Sequence, residues 1–134
     1  MTVRIAITHC PCDEQRLYAS CCAPLHEGAV ARSAEALMRS RYSAYVLKLE
    51  PYLLATCHPS TRPESLAFGD GDLQAPKWLG LKILRHETAP DGDTALVEFV
   101  ARFRVGGGSA QRMRETSRFL RVDGRWLYLD GDVV

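Results

Sequence analysis

The chain has 134 residues, 46% of them apolar and 25% charged, a balance that suits one globular domain with a small appendage and excludes wholesale disorder. Its 17 basic and 16 acidic residues leave a net charge of +1, which argues against chain-wide attraction to nucleic acid or a membrane surface and leaves only local patches. No apolar run approaches the ~18 residues needed to cross a bilayer, and the N-terminal stretch lacks the long apolar region and cleavage site of a secretory leader. A cytoplasmic location is therefore expected, where thiols stay reduced and clustered cysteines bind metal more often than they pair.

Residues 1–30 stand apart. They hold four of the five cysteines and two of the four histidines, and apolar periodicity is poor after Ile7. So few apolar side chains cannot order a segment alone, which predicts one folded by metal. Its pattern is Cys10-Pro11-Cys12, eight intervening residues, then Cys21-Cys22. Zinc takes four ligands in a tetrahedron and binds thiolates well. Two close pairs on a short connector can wrap one ion, provided the backbone turns sharply enough for adjacent Cys21 and Cys22 both to reach inward. Four sulfurs are the expected set, with His26 or His9 as alternatives for one of them. Four sulfurs also close the coordination sphere, so the expected zinc is structural rather than catalytic. A free-thiol or redox cluster is the competing reading, although Cys-x-Cys and Cys-Cys are not the Cys-x-x-Cys of thioredoxin-like motifs.

Ser33 is placed to cap a helix, with Glu35 at its positive end. Leu37, Met38, Arg41, Tyr42, Tyr45, Val46 and Leu49 follow as one helical stripe. Pro51 suits the first turn of a second, short helix from Tyr52 to about Cys57, ended by His58-Pro59. Residues 59–76 read as loop, with one helical turn near Glu64–Ala67. From Trp78 the period becomes two. Strands are predicted over Trp78–Arg85, Thr94–Val105, Arg112–Val122 and Arg125–Asp130, separated by the turns Pro90–Asp93, Gly106–Gly108 and Asp123-Gly124. In the second of these, Ala95, Val97, Phe99, Ala101, Phe103 and Val105 share one face. Helices followed by an antiparallel meander make an α+β domain with the helices packed on one side of the sheet.

Two sets of residues carry a resemblance to known families. Cys10-Pro11-Cys12 with Cys21-Cys22, and Tyr18 between them, resembles the SEC-C zinc motif. Cys21–His26, Ala34–Tyr45, Phe99–Phe103, Glu115–Phe119 and Trp126–Gly131 resemble the YchJ family of uncharacterised bacterial proteins across almost the whole chain. The resemblance implies a SEC-C-like zinc knuckle over 1–30 and a nuclear-transport-factor-2-like (NTF2-like) domain over 31–134, a curved antiparallel sheet wrapped around helices into a cone with a pocket. It implies no reaction. The chain departs from the motif after Cys12, where Asp13-Glu14-Gln15-Arg16 replaces the usual Gly-Ser-Gly-Lys, removing the glycine turn and making the knuckle less basic.

Inside the cone, Arg41 on the helix stripe and Glu115 on the third sheet strand are the candidate polar pair, read either as a structural ion pair or as a substrate anchor or acid–base centre. Cys57 reads as a small buried apolar residue. Arg102, Arg104, Arg112, Arg114, Arg118 and Arg121 form a basic cluster read as a solvated face balanced by nearby acids, so a nucleic-acid partner is not expected. Two functional classes follow. One is an adaptor or binding module that docks a protein partner through the knuckle and holds a small ligand in the cone. The other is an acid–base hydrolase or isomerase using the cone, with thiol redox chemistry as a third reading. Zinc is the only cofactor expected.

Overall fold

The computed structural model describes residues 7–66 and 76–134. It opens with a small antiparallel hairpin of β1 (His9–Cys10) and β2 (Asp13–Leu17), whose turn holds Pro11 and Cys12. A 3-10 turn (Tyr18–Ser20) and a single helical turn, α1 (Ala23–His26), complete the cysteine-bearing segment. Two longer helices follow, α2 (Ala34–Leu47) and α3 (Glu50–Ala55). Then come four long strands, β3 (Pro76–Thr88), β4 (Thr94–Val105), β5 (Gln111–Val122) and β6 (Arg125–Val133). These pair in sequence order, β3-β4-β5-β6, each antiparallel to the next.

Local chemistry explains the boundaries. Ser33 is extended, and its hydroxyl accepts the Ala36 N–H at 3.1 Å, starting α2. Lys48, in the left-handed region at φ 57°, ends it. Pro51 sits in the first turn of α3, which begins earlier than Tyr52 because a proline lacks only an N–H that is unpaired there anyway. The 59–76 loop is described to residue 66. Residues 64–66 are not helical, and the rest of the expected turn near Glu64–Ala67 lies outside the described residues. Asp123 and Gly124 both have positive φ, 51° and 79°, the two-residue turn whose twist matches the strands it joins. Strand β6 continues through Gly131 to Val133, because pairing with β5 overrides the weak strand preference of Gly131 and Asp132.

The helices cover one face of the meander, with α2 against β3, β4 and β6. Strand β4 buries Ala95, Val97, Phe99 and Ala101 toward them and exposes Arg102 and Arg104 on the other side. Most of the buried apolar residues described form one cluster. Cys10, Cys12, Tyr18 and Cys22 of the N-terminal segment belong to it together with Leu37, Met38, Tyr42, Phe99 and Phe119.

Candidate metal centre and cone cavity

The hairpin turn brings Cys10 and Cys12 to one side. At Cys21 the backbone leaves both helix and strand regions, with φ −111° and ψ −94°. This sharp bend is what lets the adjacent Cys21 and Cys22 face the same point. The four sulfurs all lie within 4.8 Å of one another. Individual separations are 3.5 Å for Cys10–Cys12, 3.6 Å for Cys12–Cys21, 3.7 Å for Cys12–Cys22 and 3.9 Å for Cys21–Cys22. Metal–sulfur bonds of about 2.3 Å in a tetrahedron give sulfur–sulfur edges of about 3.8 Å. The donor set therefore has the chemistry and the size of a four-thiolate metal site. Where the SEC-C glycines would turn, Asp13–Leu17 instead forms β2, pinned by Asp13, which accepts the Gln15 N–H at 2.9 Å.

Crowding shifts three of these thiols. Hydrogen bonding with Cys12 and Cys22 holds Cys10 far below its ordinary value. Hydrogen bonding with Cys10 pushes Cys12 up to about 12, and hydrogen bonding with Cys10 and Cys12 raises Cys22 as well. Four thiolates this close repel one another, and a divalent cation at their centre is the charge that lets all of them ionise.

Helix α2 supplies the surroundings. Ser43, fully buried, donates its hydroxyl to Cys22 Sγ at 3.3 Å and lies 3.5 Å from Cys10 Sγ. Nothing in the local sequence marks Ser43, since its role depends on the knuckle docking on this turn of α2. His26 is not in the ligand cluster. Its Nε2 lies 2.8 Å from the Ser40 carbonyl oxygen, which can only accept, so Nε2 carries the proton. Its Nδ1 then accepts the Tyr18 hydroxyl at 2.7 Å. Both nitrogens are committed, so His26 holds α1 to α2 and has no lone pair left for a metal. His9 is exposed at the start of β1.

Between α2 and the sheet lies a cavity of about 300 Å³, walled by Met38, Tyr42, Tyr45, Trp78, Phe99 and Tyr128, with Arg41 and Glu115 also lining it. These two candidates share a cavity but form no ion pair within 4.0 Å. Arg41 turns to α3, donating to the Leu53 carbonyl at 2.9 Å and the Thr56 hydroxyl at 2.7 Å, and lies 4.5 Å over the Tyr128 ring. Glu115 Oε2 accepts from Ser117 at 2.5 Å and from the Tyr128 hydroxyl at 3.3 Å. The expected pair is thus two separate sets of bonds, because α3 offers Arg41 nearer acceptors than the sheet does. Cys57 is buried beside Arg41, its sulfur 3.7 Å from Nη1.

Comparison with known proteins agrees with this architecture. Residues 33–131 match the family described as YchJ, middle NTF2-like domain. A UPF0225 protein of Xanthomonas campestris is 55% identical over 121 residues, covering 90% of this chain and 92% of its own length. One from Ralstonia nicotianae is 53% identical over 133 residues, covering 92% and 90%. The solution structure of a SEC-C motif containing protein from Rhodopseudomonas palustris superposes with a TM-score of 0.78 at 38% identity, over 95% of this chain and 99% of that one. A SEC-C motif containing protein from Psychrobacter arcticus superposes with a TM-score of 0.76 at 30% identity, over 93% and 82%. No helix among the described residues is long and apolar enough to cross a membrane. With a family match over most of its length and relatives above half identity along nearly all of it, the chain belongs to the YchJ family of UPF0225 proteins, with an NTF2-like domain.

Proposed function

We propose that this protein is a zinc-stabilised adaptor or binding module of the cytoplasm, in which Cys10, Cys12, Cys21 and Cys22 hold one zinc ion, the knuckle over 1–30 docks a protein partner, and the 31–134 domain is a scaffold or small-ligand holder. The observation that carries the reading is the sulfur geometry, whose edges match a tetrahedral four-thiolate site. Such a site is closed, so the zinc would supply folding energy and leave the chemistry of the surface to other groups. Docking is supported by β2, which is exposed along most of its length and carries Leu17 at 55% exposure. A second reading, a small ligand held in the cone, is favoured by the aromatic-walled cavity with Glu115 on its lining.

Native mass spectrometry with metal analysis tests the first reading on the wild type and a Cys21→Ser, Cys22→Ser variant. One zinc per chain, lost in the variant, is the expected result. Hydrogen exchange after chelation should then show loss of protection over residues 7–30 while β3 to β6 keep theirs. Metal-free protein from a reduced, freshly purified preparation would overturn the zinc site and favour thiol redox chemistry.

A further inference from the structure

The strand register divides the arginines of the last strands into two groups that the sequence runs together. On one part of the outer sheet face every arginine has an acid. Arg118 bridges Asp130 and Asp132, and Arg85 and Arg114 share Glu98. At the other end the basic residues face each other. Arg102 is directly opposite Arg112, and Arg104 directly opposite Lys77. Lys82 pairs across from Val100, which in turn pairs with Arg114. All five of Lys77, Lys82, Arg102, Arg104 and Arg112 are exposed, and none has an acidic partner within 4.0 Å among the described residues. Like charges placed opposite each other weaken a sheet. The fold gains nothing from two such pairs.

We propose that this outer face of β3, β4 and β5 binds the phosphate backbone of a nucleic-acid duplex. The five cations lie on three strands about 4.8 Å apart, so they share a surface about 10 Å across the strands and about 14 Å along them. Three are guanidinium groups, whose fork of donors matches phosphate oxygens in pairs. The centre of a protein–protein interface is usually apolar or aromatic and poor in charge. Here the central apolar residue, Val100, is itself buried at 8% exposure, leaving a surface of charge alone. No aromatic residue occupies these positions, so bases have nothing to stack on and a single strand gains little. A duplex turns its bases inward and presents phosphates, which matches what the face offers. The net charge of +1 averages the patch away; Asp13 and Glu14 border it, lining one surface pocket with Lys82 and Arg102, but form no ion pair with them within 4.0 Å.

The test is fluorescence anisotropy of labelled RNA and DNA duplexes of about 16 base pairs titrated with the full chain between about 50 and 200 mM potassium chloride. Five phosphate contacts predict a slope of log affinity against log salt of about −4.5. An Arg102→Gln, Arg112→Gln variant should lose about 1.8 of that slope and bind at least ~10-fold more weakly, yet melt no lower than the wild type, since a repulsive pair is gone. Arg102→Lys, Arg112→Lys keeps the charge and should keep the slope, and Arg121→Gln, on the opposite face of β5 and paired with Asp93, should bind as the wild type does. Salt-independent or absent duplex binding, unchanged binding by the glutamine variant, or equal loss in the glutamine and lysine variants would each overturn the proposal. Polyglutamate competing as strongly as duplex at equal charge would overturn it in favour of an acidic protein partner.

Discussion

Removing one oxygen atom from α2 should loosen the metal centre. Ser43 is fully buried and donates to Cys22 Sγ at 3.3 Å, with Cys10 Sγ at 3.5 Å. With a metal ion bound, both sulfurs would be anionic, and a hydrogen bond to a charged acceptor contributes about 1.5–3 kcal/mol. Deleting the outer partner of a metal ligand typically weakens binding ~10–100-fold, which at about 1.4 kcal/mol per tenfold is about 1.4–2.8 kcal/mol. The two estimates meet near 2 kcal/mol, so Ser43→Ala should weaken zinc ~30-fold. Packing adds little, because alanine differs only by the hydroxyl. Ser40→Ala is the matched control. Ser40 is equally buried one turn earlier, but its hydroxyl bonds to the Leu37 carbonyl and the Tyr52 hydroxyl, each at 2.7 Å, and to no sulfur. Competition with a chromophoric chelator at pH 7 reads both affinities. Equal effects from the two variants, or none from Ser43→Ala, would refute the role assigned to this hydroxyl.

Three further outcomes follow from contacts described above. His26→Phe should keep one zinc per chain while costing about 1–3 kcal/mol of stability through two lost hydrogen bonds; zinc loss instead would return His26 to the ligand set. Burial holds the His26 imidazole below its ordinary value of 6.5, despite the opposing hydrogen bond to Ser40. Below that pH the unfolded chain takes up a proton that the folded chain refuses, so this residue's contribution is whole above 6.5 and is lost as pH falls toward the folded value. Urea titrations across that window should show a shallower acid loss in His26→Phe than in the wild type. At Gly131, an added methyl would strike the Glu115 carboxylate and disturb its bonds to Ser117 and Tyr128. Gly131→Ala should therefore lose about 1–3 kcal/mol in thermal melts, and adding Glu115→Ala should recover part of it; additive losses would show that the clash is not the cause.

Much of this fold could be read without coordinates, for identifiable reasons. Strand β4 occupies Thr94–Val105, the residues its alternation predicts, because one of its faces is buried and alternation is then forced on the sequence. Asp123-Gly124 announced its turn through the positive φ that few residue pairs adopt. The cysteine spacing located the sulfur cluster because thiols at short intervals have few other uses in a reducing setting. What could not be read depended on contacts between distant segments. Ser43 and His26 acquire their roles only when α1 and the hairpin meet α2. Arg41 looked destined for the sheet until α3 supplied nearer acceptors. The cross-strand facing of Arg102 and Arg112 needs the register, which net charge and composition average away.

The short segment after α3 has a consequence for how the sheet is finished. The Tyr128 N–H reaches the Thr56 carbonyl and the His58 N–H reaches the Tyr128 carbonyl, each at 2.8 Å, forming a parallel bridge between Cys57 and Tyr128. Strand β6 is the last in the meander, so its outer edge would otherwise offer unpaired backbone groups to any passing chain. The bridge seals the middle of that edge with a piece of the protein far from it in sequence. With its middle already paired, β6 is a poor template for a strand of a second copy, so the segment after α3 guards the sheet against edge-to-edge association there.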